Sequence, residues 1–519
     1  MDAHNKPNVV LPLAASYNQR GIYSTSAAQG QRKVNSYYEV VENNLTGNKT
    51  LYLAKRPGLA KASSDLANSV EDFQYLIISA PNTGSDTVWV ASTRSSAVRV
   101  SDNGGGTSGL FSADGYTPVY FDKAIVSGTE NAVLQTRHES STDGMKAFYA
   151  STIGSWTEIS ASAYTTLIKR GKMEFIDGFA FQMTSDNRIY NSNINTLQTW
   201  NAVNYIAKAI QADRAGGLAR HGNILLAFGD ETVEGFRNAG TPVGSPLQRI
   251  PELQQKIGLV PLLKGTSTPA FHYYATIAGV MYFLGNTKAT PGSSQLSYSI
   301  GLFSFDGSSF KKVSPPAIDK LLTGFGTAVQ QICSISFSGK DAVVIQTSAW
   351  ALAVGSQATA LVYFPAVGDW FEWGSTLAQF ASAQGVFMAA TGSGTNGNRL
   401  YTFDNDNWYD GSAGGQTSFD MIQQFKLPKN DNARASMPWA GVVADTISAS
   451  ASTSAHGDAN LYISFSDNDY ASFSTPRVID LSTREKRITR CGSFKDRVVR
   501  LVHSANAECR IQQFIAKTL

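Results

Sequence analysis

The sequence predicts an all-β protein: a distorted β-propeller of six or seven blades, with a separate antiparallel β platform formed by the terminal regions. Three observations predict it. Sustained helical periodicity is scarce, and short β runs broken by Gly, Asn, Asp and Ser fill the chain. One aromatic hairpin pattern recurs along the chain. Most copies of it follow a continuous apolar strand such as Gly178–Met183, Val280–Leu284 or Ala342–Ile345. An inner apolar strand followed by an outer amphipathic hairpin is the expected order within a propeller blade, whose repeats recur at roughly 40–50 residues. A pair of β-sandwiches or a β-solenoid is the alternative architecture.

In chain order, residues 1–70 are turn-rich with one strong strand, Ser36–Val41, and form the N-terminal segment of the platform. The array spans 71–410. Its hairpins are expected at Leu110–Phe121, Ala147–Ile159, Ile189–Val203, Gly301–Val313, Leu361–Trp373 and Leu400–Tyr409. In each, a β run with an aromatic meets a polar turn and a second run starting at an aromatic. Asp-Gly and Asn-rich pairs accept the positive φ that primed turns require. The flanking aromatics then pack across the hairpin or into the next sheet. Two segments read as helices, Ala202–Asp213 and Ala317–Leu322. After a Gly/Ser break, residues 411–519 read as a C-terminal β domain, with strands near Ile422–Leu427, Leu461–Ser466, Arg477–Leu481, Val498–His503 and Arg510–Ile515.

Composition fits this reading. Only 16% of the 519 residues are charged, against roughly 25% in ordinary soluble proteins. A polar but weakly charged surface suits extensive protein contact, because charge is depleted at interface cores. The net charge is +3, from 43 Lys and Arg against 40 Asp and Glu. Residues Ala471–Leu519 hold 10 of those bases and only 4 of the acids, so the basic character sits there. Cys333, Cys491 and Cys509 make no disulfide framework or zinc spacing. Val9–Ala15 is too short and contains Pro12, a poor signal peptide, and no run nears the ~20 apolar residues of a membrane helix. Synthesis in a reducing cytosol is expected, without a membrane segment.

The sequence offers no constellation that points to chemistry. The six histidines (His4, His138, His221, His272, His456 and His503) have no second ligand at metal spacing. There is no nucleophile elbow and no phosphate loop; Gly104–Gly106 has no helix after it. Ser464–Phe473 looks like a degraded Asp-box, a hairpin-folding turn of sialidases rather than an active site. Glycoside hydrolysis needs paired carboxylates, or an arginine cluster with a tyrosine nucleophile. Most acids here sit in turns. The expectation is no catalytic, cofactor-binding or metal site, and no enzyme.

Three segments together resemble one family, the tail nozzle proteins of short-tailed bacteriophages, also called packaged-DNA stabilisation or head-completion proteins. The first is Asn35–Gly58, ending in Arg56-Pro57-Gly58. The second is Asn223–Phe236, with its Thr232-x-Glu234-x-Phe236 strand, followed by Lys256-Ile257-Gly258. The third comprises Leu461–Phe473, Arg490-Cys491-Gly492 and Arg497–Leu501. The resemblance implies a virion protein: a homohexamer with a propeller in each subunit and a central channel. It would dock below the portal on an adaptor ring, retain packaged DNA and conduct it out. Tail needle and tail fibre or spike would be further partners, with double-stranded DNA in transient, sequence-independent contact. The rival readings are a carbohydrate-binding tail adhesin using Trp156, Trp200, Trp370, Trp373 and Trp408, and a propeller glycosidase.

One surface stands out for partner contact. Arg484, Lys486, Arg487 and Arg490 are opposed locally only by Glu485. If extended, Arg484 and Lys486 share a face and Arg487 begins the next turn or strand. The expectation is contact with an acidic adaptor surface or with the DNA path.

Overall fold

The computed structural model describes residues 8–13, 32–42, 49–61, 72–79, 89–94, 97–102, 109–111, 116–138, 145–152, 155–211, 213–240, 244–260, 273–288, 298–325, 329–347, 358–374, 379–383, 386–390, 401–411, 417–427, 434–447 and 459–519. They are almost entirely strand, with a short helix at Ser162–Thr165 and a longer one at Pro316–Phe325. The chain divides into two compact units. The first comprises 1–60, 349–376 and 403–519; the second comprises 61–348 and 377–402.

The second unit is a β-propeller. Four-stranded antiparallel sheets follow one another along the chain. Sheet one is Asp72–Ser79, Trp89–Arg94, Ala97–Asp102 and Gly109–Phe111. Sheet two is Tyr116–Val126, Thr129–His138, Met145–Ala150 and Thr157–Glu158. Sheet three is Lys169–Ile176, Phe179–Thr184, Arg188–Ser192 and Trp200–Ala207. Sheet four is Ala215–His221, Ile224–Gly229, Val233–Asn238 and Leu247–Gln255. Sheet five has a divided first strand, Gly258–Leu259 and Tyr274–Ile277, then Val280–Lys288, Tyr298–Phe305 and Phe310–Lys312. Val329–Phe337 with Lys340–Thr347 begins a sixth group, and Gln379–Ala383 with Val386–Ala390 a seventh.

First strands of successive groups lie side by side, and Gln379–Ala383 returns to Asp72–Ser79. Sheets two and three meet there through the Lys172–Asp122 ion pair. The ring of first strands therefore closes, with seven groups among the described residues. The first-to-second strand turns explain the repeat. Ser127-Gly128, Asp177-Gly178, Ala278-Gly279 and Ser338-Gly339 all hold positive φ at both positions. That is the two-residue turn whose twist matches paired strands. Turns of neighbouring sheets bind each other: Ser127 N–H donates to the Asn195 carbonyl at 3.1 Å, and Asn238 Nδ2 to Asp177 at 2.8 Å.

Three expectations change. The continuous apolar strands are second strands, buried on both faces between sheets, as in Phe179–Thr184 and Ile224–Gly229. The innermost first strands instead carry charge, as in Lys169–Ile176. Leu110–Phe121 is not a hairpin, because Gly109–Phe111 closes sheet one while Tyr116–Val126 opens sheet two. Leu400–Tyr409 is not one either: Tyr409–Asp410 pairs with Leu59 and with Thr417–Ser418. The other four hairpins are present. Ala202–Asp213 is no helix. Its first half continues strand Trp200–Ala207, and the amides of Ala209 and Ile210 donate to Glu234 instead of serving a helical ladder. Ala317–Leu322 lies within helix Pro316–Phe325, which packs on Tyr298–Phe305.

Among the described residues the first unit contains a two-stranded sheet, Ala435–Ser436 with Ser493–Phe494, and two larger ones. One orders Ser36–Glu42, Lys49–Lys55, Arg510–Lys517, Trp439–Ala444 and Arg487–Thr489, with Val9–Pro12 also on the C-terminal strand. The other runs from Arg32–Val34 through Met421–Lys426 and Val498–His503 to Asn460–Ser466 and Arg477–Asp480. Phe425 meets Phe514 edge-on at 5.0 Å between them. Asp369–Gly374 clusters with this unit: Val34 pairs in parallel with Glu372.

Candidate functional site

The three segments that carry the resemblance turn out to carry buried clamps. In the first, Asn35 adopts φ 49°, which Asn tolerates better than most residues. Its Oδ1 accepts from Gly374 N at 2.7 Å and Arg56 Nε at 3.3 Å. Arg56, fully buried, forks onto Asp410 at 2.9 and 2.6 Å, donates to the Gly374 carbonyl and lies on the Phe419 ring. A Cβ at Gly58 would run into the Tyr409 carbonyl oxygen, so only glycine fits. Arg32 forks onto Glu372 beside it.

In the second segment, buried Glu234 accepts from Ala209 N at 3.0 Å, Ile210 N at 2.8 Å and Arg249 Nε at 2.9 Å. Asp213 accepts from Thr232 N and Oγ1, both at 2.9 Å, and pairs with Lys208. The two acids tie sheet three's last strand to sheet four. In the third, Arg497 forks onto Asp467 at 2.7 Å on both arms, between the Phe465 and Phe494 rings. Asp467 belongs to the Asp-box-like turn, where Tyr470 N–H donates to Ser466 Oγ at 3.1 Å. These residues hold strands together.

The ring of first strands encloses a polar cluster that sequence reasoning missed. Lys172 of sheet three pairs with Asp122 of sheet two and lies 3.7 Å from Glu174. Tyr274 of sheet five donates to Glu174 at 2.7 Å. Tyr273 reaches the Leu218 carbonyl of sheet four and packs edge-on with Tyr120 at 6.1 Å. Glycines make room: a Cβ at Gly217 would meet the Tyr273 hydroxyl at 2.7 Å. Burial lifts the Glu174 carboxyl to about 7, against the pull of Lys172, and nearby Asp122 adds to the rise. Burial also opposes ionisation of Asp122, but the Lys172 charge and hydrogen bond outweigh it and keep Asp122 below its usual range. The signal in the sequence was Lys172-Met173-Glu174, two opposite charges on one strand face. Their partners lie fifty and a hundred residues away.

Arg484, Lys486, Arg487 and Arg490 sit on the surface of the first unit, with Arg487 opening strand Arg487–Thr489. Lys486 donates to Thr446 Oγ1 at 3.0 Å, and Arg487 pairs with Glu485 at 2.7 Å. The tryptophans of the adhesin reading are packed. Trp373 is buried and donates to the Ser36 carbonyl, Trp200 is buried, and Trp156, Trp370 and Trp408 are half-buried. A cleft of 390 Å³ between sheets two and three has Phe175, Phe179 and Leu197 in its wall and Lys123 and Arg220 at its rim. That volume is in the range of small-molecule sites.

Among the described residues no group of three or more His, Cys, Asp or Glu is placed to hold a metal ion. No helix among them is long and apolar enough to cross a membrane. Cys491 and Cys509 are free thiols.

No family model matches the chain, and no curated protein does. Solved structures with some likeness include one from the mitotic checkpoint complex, at 8% identity over 66% of this chain and 93% of that one, with a TM-score of 0.35. An ancestral GH74 enzyme is 14% identical over 72% of this chain and 51% of that one, at a TM-score of 0.37. BamB from Moraxella catarrhalis is 12% identical over 66% of this chain and 98% of that one, at a TM-score of 0.35. Similarity this low says nothing about what the chain does.

Proposed function

We propose that this chain is a structural, non-enzymatic subunit of the tail nozzle of a short-tailed bacteriophage. It would attach below the portal-adaptor ring, help retain packaged DNA and form, with other copies, the channel for ejection. The observation that carries this reading is the use made of the three resembling segments. Arg56, Glu234 and Arg497 each clamp strands together, so the likeness rests on architecture and not on a catalytic constellation. A rigid, weakly charged β protein suits a conduit. Tight phosphate binding would stall passage and depend steeply on salt.

The propeller's own axis is a poor DNA path. Tyr120, Tyr273, Lys172 and Glu174 are buried side chains at its centre. A DNA channel therefore has to form between copies of the chain. The test is a symmetry-resolved electron-microscopy reconstruction of the purified protein and of the particle. A closed ring with an axial opening, present at the tail, is the expected result. A monomeric lateral appendage would instead favour a carbohydrate-binding adhesin. The cleft beside Phe175 and Phe179 is that reading's one support, and sugar titration followed by NMR would check it.

A further inference from the structure

The six-stranded sheet of the first unit has two chemically different edges. One is the hairpin Ser36–Glu42/Lys49–Lys55, paired with the C-terminal strand where Leu53 and Ala54 face Ile511 and Arg510, with Lys55 N–H donating to the Cys509 carbonyl at 2.8 Å. From Gln513 to Ala516 that strand takes Val9–Pro12 instead. The outer half of the hairpin thus leaves the sheet as a two-stranded ribbon. Val40 and Val41 are 44% and 40% exposed. Adjacent strand residues point to opposite faces, so Val40 and Val41 expose an apolar group on each face. A lone two-stranded ribbon is marginal in water and gains by being covered.

The base of this ribbon is acidic. Arg510 sits among Glu39 at 3.4 Å, Asp445 at 2.6 Å and Glu508 at 3.5 Å. Glu42, at the far end of the ribbon, is a further exposed carboxylate. Lys49 lies opposite Glu42 in the register, and the patch stays acidic with it included.

The other edge, Arg487–Thr489, is basic: Arg484, Arg487 and Arg490 are exposed. Arg477 donates to the carbonyls of Thr489 at 2.6 Å and Arg490 at 3.3 Å, which blocks strand addition and adds a further charge. Arg490 holds φ 58°, a conformation that Gly or Asn adopts more readily. An arginine kept there points to use of its side chain. Four strand spacings, ~19 Å, separate the outermost strand Ser36–Glu42 from Arg487–Thr489, while Asp445 of the acidic cluster lies nearer the basic edge, next to the Thr446 hydroxyl that Lys486 binds.

We propose that the acidic hairpin of one copy of this chain docks on the basic strip of a second copy, head to tail. Such a contact is heterologous: each copy keeps one free patch of each kind, and the contact repeats until a ring closes. The inference deepens the nozzle reading by naming its subunit contact, and it rests on that reading for ring closure. It assigns Arg484, Lys486, Arg487 and Arg490 to self-association in place of the adaptor or the DNA.

The test is sedimentation of the full chain at low and high salt. Glu42→Lys with Glu508→Lys, and separately Arg484→Glu with Arg490→Glu, should each weaken self-association at least tenfold at low salt, with melting unchanged. An equimolar mixture of the two should assemble again, because every contact in it is complementary. Arg490→Gly, which suits the backbone there, should weaken association several-fold without loss of fold. Parent-like association of the variants, or no rescue on mixing, would overturn the proposal. So would a basic-strip variant that self-associates normally but joins heads slowly or loses DNA. A parent monomeric at all concentrations would remove this contact, whereas the nozzle reading stands or falls separately on the particle reconstruction.

Discussion

The Arg56 guanidinium is enclosed by Asp410, Asn35, the Gly374 carbonyl and the Phe419 ring. Arg56→Met would strand the Asp410 carboxylate, which is itself buried. Breaking one side of a buried pair typically costs about 3–5 kcal/mol. Urea unfolding of the variant should show a loss of that size, and a loss below about 1 kcal/mol would mean the pair is dispensable. Glu174 makes a different prediction. Its folded carboxyl titrates near 7 because burial penalises its charge. A raised carboxyl stabilises the fold when protonated. This contribution is complete below the unfolded value of about 4.3 and is lost as pH rises through 7. Asp122 is shifted the other way, so its effect falls at lower pH, outside this window. Stability should therefore decline between about pH 4.3 and 7 in the parent and be flatter in Glu174→Gln. Equal slopes in denaturant titrations across that window would remove Glu174 as the cause. Neither site was fully legible in the sequence. Arg56-Pro57-Gly58 was visible as a motif, but its carboxylate lies more than 350 residues away. The Glu174 cluster joins strands of four sheets that only ring closure brings together.

At the level of elements, four of six hairpins were readable because their turns and aromatics are local. Two were misplaced because a polar turn can also separate one sheet from the next, as at Gly109–Phe111 and Tyr116–Val126. A cleaner period was present. Left-handed glycines at Gly128, Gly178, Gly222, Gly279 and Gly339 follow the first strands of groups two to six. They sit where one sheet's first two strands turn, so they mark the blades better than the outer hairpins do. The helix expected at Ala202–Asp213 failed for a tertiary reason. Pairing with Arg188–Ser192 and the burial of Trp200 fix a strand, and Glu234 captures the next two amides. This yields a contrast. Trp200, packed on Tyr164 at 4.8 Å, should lose about 3–5 kcal/mol as Trp200→Ala. Val203 is 69% exposed, and Val203→Ala should stay within about 0.5 kcal/mol. Chemical denaturation of the two variants checks the pair, and similar losses would contradict the strand assignment.

At the scale of the whole molecule, the propeller class was legible because strand, turn and burial patterns agree along 300 residues, whereas the make-up of the first unit was not. That unit draws on three separated stretches of chain. Its C-terminal strand Arg510–Lys517 needs Val9–Pro12 and Lys49–Lys55 on one side. Met421–Lys426 needs Arg32–Val34, which in turn needs Asp369–Gly374. Nothing local in the sequence announces such pairings, since each strand reads the same whatever its partner. The consequence concerns folding. A fragment of residues 411–519 contains half the strands of the six-stranded sheet and most of those described in the other, yet it leaves the outer edge of Arg510–Lys517 and of Met421–Lys426 unpaired. Unpaired edges invite association with other chains. The fragment also loses Arg56 and Glu372 from the buried charge network. It should therefore aggregate, or unfold at far lower denaturant than the full chain. Adding a second polypeptide covering 1–60 should restore part of the stability by supplying the missing edge strands. Circular dichroism melts of the fragment, alone and with that polypeptide, make the comparison. A fragment that melts like the full chain would show that the edge strands are accessories and that the unit's core lies wholly within its last hundred residues.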